Sequence, residues 1–147
     1  MNLQALLQSV ADPLRLRILS LLTVSPLCVQ HLQTALNRDQ VTVSKQLLIL
    51  KGQGLVISQK IRTWRLYRLP PNPSRTTDRL LACLQALITE EGLYEEDRTR
   101  LAPLLSQVRP FLHSKKERQR PIINREPLRP TIEAVPEEPS AMEDYLL

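Results

Sequence analysis

Cysteine, glycine and histidine are scarce in this 147-residue chain, with two cysteines, three glycines and two histidines. Two cysteines with no C-x-x-C pair do not make a disulfide framework, and they fit a reduced cytoplasmic protein. With so little glycine there is no Gly-rich phosphate loop, and no Ser or Cys nucleophile stands beside a His/Asp orienter in the sequence, so an enzyme is not expected. No run approaches the roughly 18 apolar residues of a membrane span, and "MNLQALLQSV" has no basic region before its apolar residues. Neither a signal peptide nor a membrane partner is expected. The length allows one domain of ordinary size and a tail, and excludes a large multi-domain enzyme.

What is present is positive charge in one place. The formal net charge is +5, yet residues 38–79 carry nine Lys/Arg against Asp39 and Asp78, a local +7, while residues 80–113 carry three against five acids. From about residue 113 the chain is proline-rich, first basic and then acidic, with few sizeable apolar side chains. Such a composition buries too little surface to offset chain entropy, so 113–147 is read as a disordered tail and 1–112 as the domain.

Helical punctuation organises that domain. Leu3, Leu6 and Leu7 recur at helical spacing, and Asp12-Pro13 then reads as an N-cap with proline at the first helical position, opening a helix over about Leu14–Leu22. Ser25-Pro26 repeats the device ahead of "LCVQHLQTAL", which Asn37 closes. Asp39 caps "QVTVSKQLLILKGQG", in which Val43, Leu47 and Leu50 share one face. Two short helices joined by "NRD" form a helix-turn-helix. The second begins with short hydrogen-bonding and basic side chains of the kind that reach base edges in a major groove.

"LVISQKIRTWRLYRL" follows, two β-prone runs around a basic tip at Lys60, Ile61 and Arg62. A hairpin after a helix-turn-helix is a wing, and basic tip residues suit phosphates or the minor groove. Trp64 is read as an aromatic anchor between the hairpin and the helices. "PPNPS" then leads to an apolar-striped helix, Thr77–Glu91, and a last helix over about Glu95–Leu112. The fold class is therefore mainly α with a small β-hairpin, a winged helix-turn-helix.

In order and spacing, "ADPLRLRILSLL", "LCVQHLQTAL", "QVTVSKQLLILKGQGLV" and "WRLYRL" resemble the ArsR/SmtB family of bacterial winged-helix repressors over about residues 3–70. The resemblance implies a homodimeric transcriptional regulator on a palindromic operator in double-stranded DNA, dimerising through the first and post-wing helices. It places Gln40, Thr42, Ser44, Lys45 and Gln46 at the groove, with Lys45 a phosphate contact and Thr42, Ser44 and Gln46 base contacts. Lys60 and Arg62 of the wing complete the expected DNA-binding set. Arg62 stands where the family usually has glycine, so a different tip turn is expected.

For effectors, the arsenite-responsive members carry Cys-Val-Cys in the third helix, where this chain has Cys28-Val29-Gln30. Cys28 and His31 are the metal candidates, and two ligands do not close a site. The post-wing helix lacks the histidine of the family's other metal site, and His113 is isolated. Neither a bound metal nor a cofactor is expected. Cys28 and Cys83 together admit a thiol switch, or simply two packed core residues. A winged helix serving as a protein-interaction module without an operator is the competing function, and the local +7 argues for DNA.

Overall fold

The computed structural model describes residues 2–108, so the tail beyond 113, His113 and the last turn expected up to Leu112 lie outside the described residues. In chain order the elements are α1 (Leu3–Val10), α2 (Pro13–Val24), α3 (Val29–Leu36), α4 (Gln40–Gly52), β1 (Ile57–Ile61), β2 (Trp64–Arg68), α5 (Arg75–Glu90), α6 (Glu95–Leu101), a 3-10 turn (Ala102–Leu104) and α7 (Leu105–Val108).

Asp12 and Asp39 start their helices where the sequence predicts, and Asn2 and Ser74 are caps that it had not singled out. Asn2, Asp12, Asp39 and Ser74 each accept a hydrogen bond from the backbone N–H three residues on, the first donors that a helix leaves without an internal partner. Ser25-Pro26 does not open α3. The segment stays extended instead, because Leu27 pairs with the wing, its N–H donating to the Tyr67 carbonyl at 3.0 Å and its carbonyl accepting from the Tyr67 N–H at 2.8 Å. Cys28 is therefore the N-cap of α3. Asn37 ends that helix in the left-handed region, at φ 52°, where asparagine is tolerated better than most residues.

Two further boundaries differ from expectation. The post-wing helix starts at Arg75 rather than Thr77 because Ser74 supplies its cap. The last helix is broken after Leu101, where Pro103 removes a backbone donor and the chain tightens into a 3-10 turn before α7.

Packing converts the apolar stripes into one core. Leu6, Ile18, Leu21, Leu32, Leu36, Val43, Leu47, Leu50, Leu55, Val56 and Leu101 are buried, which brings α1 to α4 and α6 together. Each such leucine contributes roughly 1.5–3 kcal/mol by leaving water. The helix-turn-helix is thus held from behind, by α2 and α6, and its outer side is left open.

A charged cluster supplements this core. Asp97 is buried; its two carboxylate oxygens accept from Arg17 Nε and Nη2, both at 2.7 Å, and Oδ1 also accepts from Arg100 Nη2 at 2.7 Å. The same guanidiniums reach the last turn of α3, Arg17 donating to the Leu36 carbonyl at 3.0 Å and Arg100 to the Ala35 carbonyl at 2.7 Å. Carbonyls that a helix end leaves open are thereby satisfied just before the turn into α4. The hydrogen bond to Asp97 also raises the Arg17 guanidinium above its already high value, against a smaller opposing effect of burial.

Candidate nucleic-acid interface

α4 buries Val43, Leu47 and Leu50 against the core, so the residues between them point away. Gln40, Val41, Lys45 and Leu48 are exposed, and Ser44 is half-buried beside them. No acidic residue occurs from Gln40 to Thr77. The N-terminal half of α4 is therefore an uncharged-to-basic surface that follows the exposed Asp39 cap.

Two of the expected base contacts are engaged within the protein. The Thr42 hydroxyl donates to Asp39 Oδ1 at 2.6 Å, while Asp39 Oδ2 accepts from the Thr42 N–H at 3.1 Å. These bonds, the hydroxyl's first, hold the Asp39 carboxyl below its ordinary value. The Gln46 amide oxygen accepts from Arg15 Nη1 at 2.8 Å. The family resemblance had implied that both side chains face the groove. It did not single out Val41, 62 % exposed, which is suited to a thymine methyl group.

The wing is an antiparallel pair running from Ile57 opposite Arg68 to Ile61 opposite Trp64, so the basic tip expected at residues 60–62 is in fact the two-residue loop Arg62-Thr63. Arg62 adopts φ 56°. This is the left-handed region that glycine adopts freely and arginine rarely, so the tip holds an arginine in a backbone conformation suited to glycine. Lys60 lies directly opposite Arg65, both exposed. Like charges facing across strands repel, and a phosphate between them relieves that repulsion. Arg65 was not singled out as a contact in the sequence, because only the strand register sets it beside Lys60. It also donates to Ser58 Oγ at 3.3 Å, which accepts from Lys51 Nζ at 2.9 Å and so joins the end of α4 to the wing.

Between the wing and the helices runs an open groove of about 400 Å³ whose lining includes Cys28, Gln30, Gln33, Gln40, Trp64 and Arg65. At its floor the Cys28 sulfur lies 3.1 Å from His31 Nδ1, and His31 Nε2 lies 3.2 Å from Gln107 Oε1. The Cys28 N–H also points at Nδ1, at 3.5 Å. These contacts agree on one arrangement, with Nδ1 accepting from Cys28 and Nε2–H donating to Gln107. The structure thus brings together Cys28 and His31, the pair that the sequence named as metal candidates, and adds Gln107 as the group that orients the histidine, which the sequence reading had not found.

The imidazole stacks on Trp64, ring centres 6.1 Å apart and planes 12° apart, which gives the tryptophan the anchoring place expected of it. Among the described residues no group of three or more His, Cys, Asp or Glu side chains is placed to hold a metal ion. Cys83 lies elsewhere, on the outward face of α5 with Ala82, Ala86 and Leu87, and both cysteines are free thiols. Leu3 and Leu7 of α1 are likewise exposed. No helix among the described residues is long and apolar enough to cross a membrane.

A helix-turn-helix backed by a core and followed by a paired, basic hairpin defines a winged helix-turn-helix protein. Residues 12–58 match the family described as bacterial regulatory protein, arsR family. The arsenical resistance operon repressor of Escherichia coli K12 is 40% identical over 68 residues, 46% of this chain and 58% of that protein. The arsenic resistance transcriptional regulator ArsR2 of Pseudomonas putida KT2440 is 35% identical over 81 residues, 54% of this chain and 70% of that protein. The homodimeric winged helix-turn-helix DNA-binding domain Mb0332 from Mycobacterium bovis superposes with a TM-score of 0.51 at 30% identity, covering 59% of this chain and 78% of that one. Reduced HlyU from Vibrio cholerae N16961 does so with a TM-score of 0.50 at 30% identity, covering 56% and 84%. The chain belongs to the arsR family of bacterial regulatory proteins. The match spans little more than half the length of the E. coli repressor.

Proposed function

We propose that the protein is a sequence-specific DNA-binding transcriptional regulator, a repressor that sits as a homodimer on a palindromic operator. The observation that carries this reading is the acid-free surface formed by the N-terminal half of α4 and the wing. Gln40, Val41 and Ser44 face the bases, Thr42 holds the start of the helix through Asp39, and Lys45, Lys60, Arg62 and Arg65 take phosphates. The exposed apolar stripes of α1 and α5 supply the dimer contact, supported by the homodimeric Mb0332 domain. Purified protein is expected to shift a palindromic fragment from its own promoter region, with affinity falling steeply as salt rises. Lys45→Ala is expected to weaken binding about tenfold and to reduce the salt slope by about one. Absence of any shift at low salt would overturn the proposal.

A second reading concerns the effector, and the Cys28–His31 contact favours it. A thiol in contact with an imidazole and lining an open groove suits a thiol-reactive effector. Stacking of His31 on Trp64 gives a change there a direct route to the wing. Arsenite, zinc, a persulfide donor and an oxidant, tested for operator release on wild type and Cys28→Ser, decide whether Cys28 responds and to which class.

A further inference from the structure

We propose that Gln46 is a positioning residue rather than a base reader, and that with Arg15 it ties α1 to α4. This rests on the reading of α4 as the DNA-facing helix. Arg15 leaves the first turn of α2 and meets both neighbours at once. Its Nη1 donates to Gln46 Oε1 at 2.8 Å, its Nε to the Ser9 carbonyl and its Nη2 to the Gln8 carbonyl at 3.3 Å. Gln8 and Ser9 belong to the last turn of α1, where the helix runs out of its own donors; the Gln8 carbonyl shares the Ala11 N–H with Leu7, and Arg15 supplies the Ser9 carbonyl with its donor. One planar guanidinium therefore caps α1 and grips the middle of α4, and its fixed fork cannot turn toward one without leaving the other.

The helix held at the far end matters. α1 carries Leu3 and Leu7 outward, 58 % and 47 % exposed, and this is a surface that a second copy would cover. A reading helix anchored to a dimer helix keeps the spacing of two reading helices on one duplex, which half-site recognition needs. The contact uses the Gln46 oxygen, the very atom that would otherwise accept from a base, and leaves the outward face of α4 to Gln40, Val41, Ser44, Lys45 and Leu48.

Introducing a negative charge at 46 separates positioning from reading. A carboxylate at 46 pairs with Arg15 as well as the amide does or better, whereas a carboxylate facing a groove is repelled by DNA. Binding of the full chain to its palindromic fragment is measured for wild type, Gln46→Glu, Gln46→Ala and Arg15→Ala, on the matched site and on single-base variants. Hydrogen exchange is followed in the same proteins without DNA. Gln46→Glu is expected within about threefold of wild type. Gln46→Ala and Arg15→Ala are expected to lose about tenfold on every site alike, with the salt slope unchanged and faster exchange in the last turn of α1 and around residue 46. A loss of about 100-fold in Gln46→Glu, a changed base preference in Gln46→Ala, or no change in Gln46→Ala overturns the proposal. If Arg15→Ala does not fold, the two Gln46 variants decide. If wild type binds no fragment, the DNA reading fails, and the exchange rates still show whether the tie between α1 and α4 exists.

Discussion

The arginines of α2 and the basic side chains of the wing carry the same charge in opposite settings. Arg15 and Arg17 are engaged along their guanidiniums by carbonyls, an amide and a buried carboxylate. Lys60, Arg62 and Arg65 are exposed, and two of them face each other across the strands. The first pair stabilises the arrangement of helices, whereas the second group costs the free protein some repulsion and is relieved by a polyanion. Net charge alone assigns neither role; the partners do.

Mutation breaks this contrast most sharply at Asp97. Removing its carboxylate leaves two guanidiniums partly desolvated with no counter-charge, so Asp97→Ala is expected to cost about 4 kcal/mol in denaturant unfolding. Loss of less than about 1 kcal/mol would show that the cluster is solvated and that the two regions are alike. At the wing tip the expected sign is reversed. Arg62→Gly relieves a left-handed residue and is expected to stabilise the protein by up to about 1 kcal/mol while weakening operator binding. A variant that gained both stability and affinity would remove Arg62 from the interface.

Smaller still is the expected effect of Lys60→Ala on folding, within about 0.5 kcal/mol and on the stabilising side. Its salt slope on DNA is expected to fall by about one, and an unchanged slope would detach the wing from the phosphates. The least effect lies in pH. Asp39 is held below its ordinary value of 3.8, so its cap on α4 contributes at all higher pH and is lost as pH falls through the lowered folded value. An acid titration of helicity is expected to show that loss in wild type and to miss this component in Asp39→Asn.

Much of the fold was legible because caps and stripes are local signals. Asp12-Pro13, Asp39 and Asn37 act within a few residues, and Val43, Leu47 and Leu50 reveal the buried face of α4 by spacing alone. Ser25-Pro26 misled for the converse reason. Its cap signal competes with a pairing to Tyr67, some forty residues away, and two backbone hydrogen bonds to a distant strand leave no trace nearby. The candidate site divides the same way. Gln40, Ser44 and Lys45 follow from helix phase and the Cys28–His31 pair from helical spacing, whereas the engagement of Gln46 by Arg15 and of His31 by Gln107 depends on which helices become neighbours.

Composition and local pattern by themselves determined that the chain makes short capped helices, a hairpin and one concentrated patch of positive charge, since each of these is set by residues close together. Tertiary structure alone decided which positive charges stay available. A guanidinium keeps its charge for an outside partner only where no carbonyl or carboxylate of the fold reaches it first, and that is fixed by packing between helices distant in sequence.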